Sequence, residues 1–159
     1  MKPVTNVVLA GLGGQGVIKA SDVLSKAAFA SGYDVKKSEL HGMSQRGGSV
    51  CSDVRFGPVV LSPMVPPGQA DFLVVLAPDQ VQVNLGQLHA GGVLISPEMV
   101  DEACLANRKS LNVALLGLLS QHLDIPEEAW ADAIRAVFPE KIHAVNQQAF
   151  AYGRSLAAK

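Results

Sequence analysis

A glycine-rich hexapeptide near the N-terminus limits the folds open to this chain more than any other feature. Gly11-Leu12-Gly13-Gly14-Gln15-Gly16 fits the pattern G-x-G-x-x-G. It stands between an apolar run at residues 7–10 and a segment, residues 16–31, whose apolar side chains recur at helical spacing. The first pattern indicates a buried parallel strand and the second an amphipathic helix. A strand joined to a helix by such a turn is typical of α/β folds that bind nucleotides.

The turn itself has two interpretations. Glycines let the backbone approach a phosphate closely, and the following helix presents unpaired N–H groups to an anion. Close packing of the helix on the sheet would require glycine at the same positions. The motif alone does not decide between the two.

The rest of the chain alternates strands and helices. Residues 34–38 and 72–77 indicate strands, residues 49–56 alternate polar and apolar side chains, and Gly57-Pro58 leads into a further apolar run at residues 59–61, so this pair predicts a β-hairpin. A short helix is expected from Pro78-Asp79 towards residue 85, then a strand at residues 93–96. Helical patterns follow at residues 112–122, from Pro126 onwards, and at residues 141–155. We therefore expect one α/β domain over residues 1–159, with a doubly wound, mostly parallel sheet, an inserted β-hairpin and a helical C-terminal third.

Composition excludes several functional classes. The 159 residues are 48% hydrophobic, which is enough for one substantial core. With 13 Lys+Arg against 14 Asp+Glu, the chain lacks the basic excess of a nucleic-acid-binding protein. No run approaches the ~20 apolar residues of a membrane span, and the N-terminus has no signal-peptide pattern, so a cytoplasmic protein is expected.

The two cysteines do not form a metal or cluster motif. Cys51 and Cys104 lie far apart, and neither belongs to a C-x-x-C pair. Iron–sulfur and zinc sites need several thiolates or imidazoles at close spacing. Any redox centre that works with this chain is therefore expected on another chain, and the two thiols are expected to be ordinary.

The sequence after the turn argues against a plain NAD site. Such sites usually carry an acidic residue about 20 positions further on, to bind the ribose hydroxyls. Here that region reads Val35-Lys36-Lys37-Ser38, and Glu39 comes a little late. The two lysines suit an additional phosphate better than a free diol, or they are solvated surface residues. An autonomous NAD(P)-binding module or reductase remains the alternative function.

A polar decapeptide is the second distinctive stretch. It reads Glu39-Leu40-His41-Gly42-Met43-Ser44-Gln45-Arg46-Gly47-Gly48 and offers almost nothing to a core. It is either a surface loop or a loop held against a ligand or partner. Arg46 suits a phosphate, a carboxylate or a partner's acid, or else a surface salt bridge of little energy. We favour His41 as an organiser of the loop rather than a proton-handling group, and the glycines as positions of special backbone geometry.

Together these stretches resemble the gamma-type component of 2-oxoacid:ferredoxin oxidoreductases, and within that family the beta subunit of indolepyruvate ferredoxin oxidoreductase. The resemblance rests on the glycine turn, the decapeptide and Val54-Arg55-Phe56-Gly57, and extends to Ser62-Pro63, Gly68-Gln69-Ala70-Asp71 and Asn146-Gln147-Gln148-Ala149-Phe150-Ala151-Tyr152-Gly153. The glycine turn alone is weak, but its combination with E-x-H-G-M-S-Q-R-G-G is specific.

The resemblance implies a Rossmann-like subunit that is inactive alone. Such complexes decarboxylate a 2-oxoacid to an acyl-CoA with thiamine diphosphate, Mg2+, [4Fe-4S] clusters and coenzyme A, and pass electrons to ferredoxin. It implies that a partner alpha subunit binds the thiamine and the clusters, that no catalytic residue lies on this chain, and that the isolated chain can form a homodimer. This chain would instead complete the coenzyme A channel and the subunit interface. The residues that would do so are Gly11, Gly13, Gly14, Gln15, Gly16, Glu39, His41, Gly42, Ser44, Gln45, Arg46 and Gly47.

Overall fold

The structure is a computed structural model that describes residues 4–41 and 48–157. Its strands are β1 (Thr5–Leu12), β2 (Asp34–His41), β3 (Ser49–Gly57), β4 (Ala70–Val75) and β5 (Leu88–Ile95). Its α-helices are α1 (Val17–Ala30), α2 (Val81–Asn84), α3 (Leu111–Ser120), α4 (Glu127–Val137) and α5 (His143–Ala157). Short 3-10 turns connect several of them: Pro78–Gln80, Leu85–Gln87, Pro97–Met99, Glu102–Cys104, Arg108–Ser110 and Glu140–Ile142. In this part of the chain, no helix is both long and apolar enough to cross a membrane.

The five strands form a single mixed sheet in the order β2-β3-β1-β4-β5. β4 runs parallel to both of its neighbours, β1 and β5. β3 runs antiparallel to both β1 and β2. The α/β class and the helical C-terminal third are confirmed. The sheet is less parallel than the sequence predicted, because two of these four strand pairings are parallel and two are antiparallel.

The predicted hairpin between residues 49–56 and 59–61 is wrong in its second strand. Both hydrogen-bonding edges of β3 are already occupied, by β1 on one side and by β2 on the other. The segment after Pro58 therefore leaves the sheet and crosses its face. There the N–H of Val60 donates to Asp34 Oδ2 at 2.8 Å, and that of Val65 donates to Asp53 Oδ2 at 2.9 Å. The antiparallel pair that does exist joins β2 to β3.

One face of the sheet carries the main core. Strand residues such as Leu9, Val54 and Val74 share a buried cluster there with side chains of α1, α3, α4 and α5. The opposite face has a smaller cluster, to which Val8, Val65 and Leu73 belong. The long helices thus lie in one layer rather than on both faces of a doubly wound sheet. The sequence Leu111–Ser120 shows why α3 lies deepest: it is apolar on all sides, and nearly every residue in it is buried.

Helices α3 and α5 cross at very short range because glycines stand at the crossing. A Cβ added to Gly153 would lie 1.8 Å from the carbonyl oxygen of Ala114, and one added to Gly117 would lie 2.3 Å from that of Phe150. No side chain fits between the two backbones at these points. The crossing therefore determines where α5, including its first turn, stands relative to α3.

Candidate functional site

The glycine turn connects β1 to α1 through two residues with left-handed backbone geometry. Gly14 has φ 89° and Gly16 has φ 83°, a region that other residues enter only at a cost. Gly16 is also close to another chain segment, since an added Cβ would lie 2.5 Å from Asn112 Nδ2. Around Gly14 an added Cβ would meet nothing within 4 Å. Glycine is thus required by geometry at both positions, and by packing as well at Gly16.

The side chain of Gln15 holds the turn to the sheet. Its Oε1 accepts a hydrogen bond of 2.7 Å from the N–H of Leu12, and its Nε2 donates to the carbonyl oxygen of Leu76 at 3.4 Å. It thereby links the ends of β1 and β4. Gly11 leaves room for this arrangement, because an added Cβ would lie 2.9 Å from both Gln15 Oε1 and Val17 Cγ2. At Gly11 the packing interpretation of the motif therefore applies.

The turn and the decapeptide are neighbours. The N–H of Gly13 donates to the carbonyl oxygen of Gly48 at 2.8 Å. At the other end of the decapeptide, Glu39 lies on the edge strand β2, where its carboxylate pairs with Lys37 Nζ at 2.5 Å. His41 is the last residue of β2. Its side chain and the other candidates in this loop lie outside the described residues: Gly42, Ser44, Gln45, Arg46 and Gly47.

The lysine pair that suggested an extra phosphate is already paired with carboxylates. Lys36 contacts Asp34 at 3.3 Å, and Lys37 contacts both Asp22 and Glu39. Partial burial alone would lower the pKa of the Lys37 ammonium, but the two carboxylates outweigh this effect and raise it. The pair also lies on β2, and β3 separates that strand from β1. Dinucleotide-binding folds place the second strand parallel to β1 and directly beside it. Because β2 is not beside β1, neither lysine lies next to the glycine turn as dinucleotide binding would require.

A cavity of about 410 Å³ opens beside the turn, where β1 and β4 end. Ligands of α/β proteins bind at the carboxyl ends of parallel strands such as β1 and β4, and the volume is in the range of small-molecule sites. The N-terminus of α1 points its first N–H groups here, before the first helical hydrogen bond from Ala20 to Gly16. The described lining residues are Gly14, Gln15, Gly16, Lys19, Leu76, Asn107, Arg108, Lys109, Ser110, Leu111, Asn112, Phe138, Ile142, Val145 and Asn146.

Three cations line this cavity: Lys19 on α1, and Arg108 and Lys109 just before α3. Among residues 4–41 and 48–157, none of the three forms an ion pair, and the lining includes no carboxylate. These three cations and the N-terminus of α1 form the part of the cavity that suits phosphate groups. Sequence reasoning missed Arg108 and Lys109. Their signal was an adjacent Arg-Lys pair directly before a helix, but nothing local connected it to a turn some 90 residues earlier.

The remaining wall is apolar. It is formed by three separate parts of the chain, which contribute Leu76, Leu111, and the group Phe138, Ile142 and Val145. A cavity with cations on one side and aliphatic and aromatic side chains on the other can accommodate a phosphate-bearing ligand with an apolar or heteroaromatic part. Nucleotides have this composition.

The thiol of Cys51, on strand β3, is not reactive at neutral pH. Burial, together with the nearby carboxylate of Asp53, raises the pKa of Cys51 to about 11. At neutral pH the group is therefore a protonated thiol, which neither attacks an electrophile nor ligates a metal readily. In the described part of the chain, no three His, Cys, Asp or Glu side chains are grouped so that they could hold a metal ion.

The chain matches the model of a known protein family. The model for pyruvate ferredoxin/flavodoxin oxidoreductase matches residues 6–101, which include the glycine turn, the decapeptide and four of the five strands completely. Among curated proteins, the chain is 35% identical to the indolepyruvate oxidoreductase subunit IorB of Thermococcus kodakarensis and 32% identical to that of Pyrococcus horikoshii. Each alignment covers 93% of both chains.

Solved structures share the fold over almost the whole chain. The gamma subunit of a keto/oxoacid ferredoxin oxidoreductase from Geobacter sulfurreducens superimposes with a TM-score of 0.83 at 22% identity, covering 99% of this chain and 98% of that one. The 2-oxoglutarate:ferredoxin oxidoreductase of Magnetococcus marinus, solved with 2-oxoglutarate, coenzyme A and succinyl-CoA bound, also gives 0.83, at 21% identity. It covers 99% of this chain but 32% of the larger one.

Proposed function

The chain belongs to the pyruvate ferredoxin/flavodoxin oxidoreductase family, and from this premise we propose that it is the small, gamma-type subunit of a 2-oxoacid:ferredoxin oxidoreductase. Full-length similarity to the IorB subunits supports indolepyruvate or another aryl-pyruvate as the oxoacid. The subunit is inactive alone. Its partner is an alpha subunit that binds thiamine diphosphate, Mg2+ and [4Fe-4S] clusters, which supply decarboxylation and electron transfer to ferredoxin.

The contribution of this chain is to hold coenzyme A. The observation that carries this proposal is the cavity at the glycine turn, where Lys19, Arg108 and Lys109 face no carboxylate of the residues that the structure describes. Coenzyme A carries a pyrophosphate and a 3′-phosphate next to an adenine, so its nucleotide end needs several cations and an adjoining apolar surface. Held there, it would leave its pantetheine arm to reach the thiamine on the partner subunit.

The decapeptide completes this site from the side of β2 and β3. Its last residue, Gly48, is hydrogen-bonded to Gly13 of the turn, which supports a position beside the same cavity. We assign Arg46 to the coenzyme A channel or to an acid on the partner subunit, and His41 to organising the loop. Gly42, Ser44, Gln45 and Gly47 complete that loop in the proposal.

The test is the coenzyme A dependence of the purified complex carrying Arg108→Ala and Lys109→Ala together. We expect the KM for coenzyme A to rise at least about 10-fold with little change in kcat, because the lost contacts bind phosphates distant from the reacting thiol. Lys26→Ala is the matched control, since Lys26 is an exposed lysine that does not line the cavity. An unchanged KM in the double variant would refute the assignment of the cavity.

The alternative, an autonomous NAD(P)-binding module, is tested separately on the isolated chain. Isothermal calorimetry with NAD+ and NADP+ should show no micromolar binding, because β2, the strand that carries Glu39, is not adjacent to β1. Micromolar binding of either dinucleotide without a partner subunit would favour the alternative.

A further inference from the structure

One edge of strand β2 is unpaired. β2 is the outermost strand of the sheet beside β3, and within residues 4–41 and 48–157 its other edge forms no backbone hydrogen bond. The strand is eight residues long, so this edge presents a row of free N–H and C=O groups. Such a row is a template for pairing with another strand. The edge therefore needs either protection or a partner.

The charges of β2 do not protect this edge. Lysines on an edge strand normally deter pairing, because they repel the lysines of a second copy. Here Lys36 contacts Asp34 at 3.3 Å, and Lys37 contacts both Asp22 and Glu39. The strand itself carries two lysines and two carboxylates, so its formal net charge is zero with histidine neutral. Whether a second β2 meets opposite or like charges therefore depends on the register.

Symmetry restricts the register between two copies of β2. In an antiparallel pair related by a two-fold axis, one residue lies opposite its own copy. Two such registers pair most of the strand. One centres on Lys37, pairs residues 34–40 and places two ammonium groups opposite each other. The other centres on Ser38, pairs residues 35–41 and places Lys37 opposite Glu39 on both sides of the axis. Opposite charges stabilise cross-strand pairs and like charges destabilise them, so the sequence of β2 selects the register centred on Ser38.

Exposed apolar side chains near β2 fit the same pairing. Leu40, Val59 and Leu61 are all exposed, and Leu61 is 90% exposed. Leu40 lies on the sheet face that the segment after β3 crosses, and that segment is held over the edge strand by the hydrogen bond of 2.8 Å from the Val60 N–H to Asp34 Oδ2. With Ser38 at the axis, Leu40 of a second copy lies within two positions of Asp34 and so approaches Val59 and Leu61. Pairing would cover apolar surface that a single copy leaves in water.

We propose that two copies of this chain pair through β2 as an antiparallel, two-fold dimer, with Ser38 of one copy opposite Ser38 of the other. The two five-stranded sheets then join into one sheet of ten strands, and the main helices of both copies lie on the same face of it. The glycine turn stays outside the interface, because β3 separates β2 from β1. The inference does not depend on the proposed coenzyme A site.

Disulfide formation at the axis tests the register. Residues directly opposite each other in an antiparallel pair have Cα atoms about 4.5–5.5 Å apart, which a disulfide can span. In the full chain carrying Cys104→Ser, which removes an exposed thiol, Ser38→Cys should therefore give a covalent dimer on mild oxidation, seen by non-reducing electrophoresis. Lys36→Cys is the control, since it lies on the same face of β2 but about 13 Å along the strand from its own copy. Equal cross-linking of the two variants, or none with Ser38→Cys, would overturn the inference.

Charge reversal tests the same pairing without a covalent link. Lys37→Glu leaves carboxylates at positions 37 and 39, and Glu39→Lys leaves ammonium groups at both, so each variant alone brings like charges together across the axis. Sedimentation velocity should show that the dissociation constant of each variant dimer is at least about 10-fold higher than that of wild type. An equimolar mixture of the two variants should form a heterodimer with a dissociation constant within about 3-fold of the wild-type value, since every cross-strand pair is then of opposite charge.

Recovery in the mixture separates an interface effect from damage to the fold. A variant that has lost its fold cannot form a heterodimer, whereas two folded variants of opposite charge can. A wild-type chain that stays monomeric at micromolar concentration would refute the dimer. Dimers that survive both single substitutions would show that a different surface associates, and a mixture that binds no more tightly than either variant would refute the register centred on Ser38.

Discussion

The main-chain N–H of Gly13 and the carbonyl oxygen of Gly48 are joined by a hydrogen bond of 2.8 Å. This contact links the middle of the glycine turn to the last residue of the decapeptide, so the two most distinctive stretches of the sequence meet at one edge of the sheet. It also occupies the N–H of Gly13. An anion at the turn would therefore rely on the first N–H groups of α1 and on the nearby cations.

Gly14→Ala should impair coenzyme A binding more than it impairs folding. The left-handed backbone at Gly14 will cost about 1–2 kcal/mol in the free energy of unfolding, and the added methyl will project into open space at the cavity. The control is Gly32→Ala, which has φ 95° and equally open surroundings but lies beyond the C-terminal end of α1. Urea unfolding should give similar losses for both variants, and only Gly14→Ala should raise the KM for coenzyme A. Equal KM values would contradict a ligand at the turn.

Gly153→Ala should be severely destabilising. The added Cβ would lie 1.8 Å from the backbone oxygen of Ala114, so α3 and α5 would have to move apart. We expect a loss of at least about 3 kcal/mol in the free energy of unfolding, measured by chemical denaturation of the isolated chain. Gly86→Ala is the control: nothing lies within 4 Å of its added Cβ, and the change should stay within about 0.5 kcal/mol. A mild effect of Gly153→Ala would mean that the helices do not cross as closely as described.

Arg46→Ala tests the decapeptide, although Arg46 itself lies outside the described residues. Because Gly48 is anchored at the turn, we expect the variant complex to show a KM for coenzyme A raised about 10-fold, or weaker association with the alpha subunit. Arg46→Lys keeps the charge but loses the planar fork, and should fall between the variant and wild type. Size-exclusion chromatography and coenzyme A titration measure the two effects. If assembly, coenzyme A dependence and turnover were all unchanged, the role assigned to this loop would be wrong.

Local patterns predicted those elements whose formation depends on neighbouring residues. The strand before the turn, the helix after it and its end near Gly32 follow from apolar periodicity and glycine geometry, and the structure has them as β1 and α1. The requirement for glycine at positions 14 and 16 can also be predicted from the sequence, since a tight strand-to-helix connection needs residues that tolerate positive φ. The motif combination identified the family, which the comparisons confirm.

The second strand of the predicted hairpin shows that local sequence patterns do not suffice to predict every strand. Val59, Val60 and Leu61 have the composition of a strand, but a strand needs a free edge to pair with. Whether β3 offers one depends on the positions of β1 and β2, which lie far away in sequence. Only the assembled sheet decides this.

The sequence by itself determined the turn, its flanking elements and the family. The tertiary structure decided what surrounds the turn. Asn112, whose amide contacts Gly16, is 96 positions away in the chain, and Arg108, Lys109 and Asn146 reach the same cavity only because α3 and α5 pack on the helical face of the sheet. A binding site of this kind results from long-range packing, and no local periodicity records which distant residues that packing will bring together.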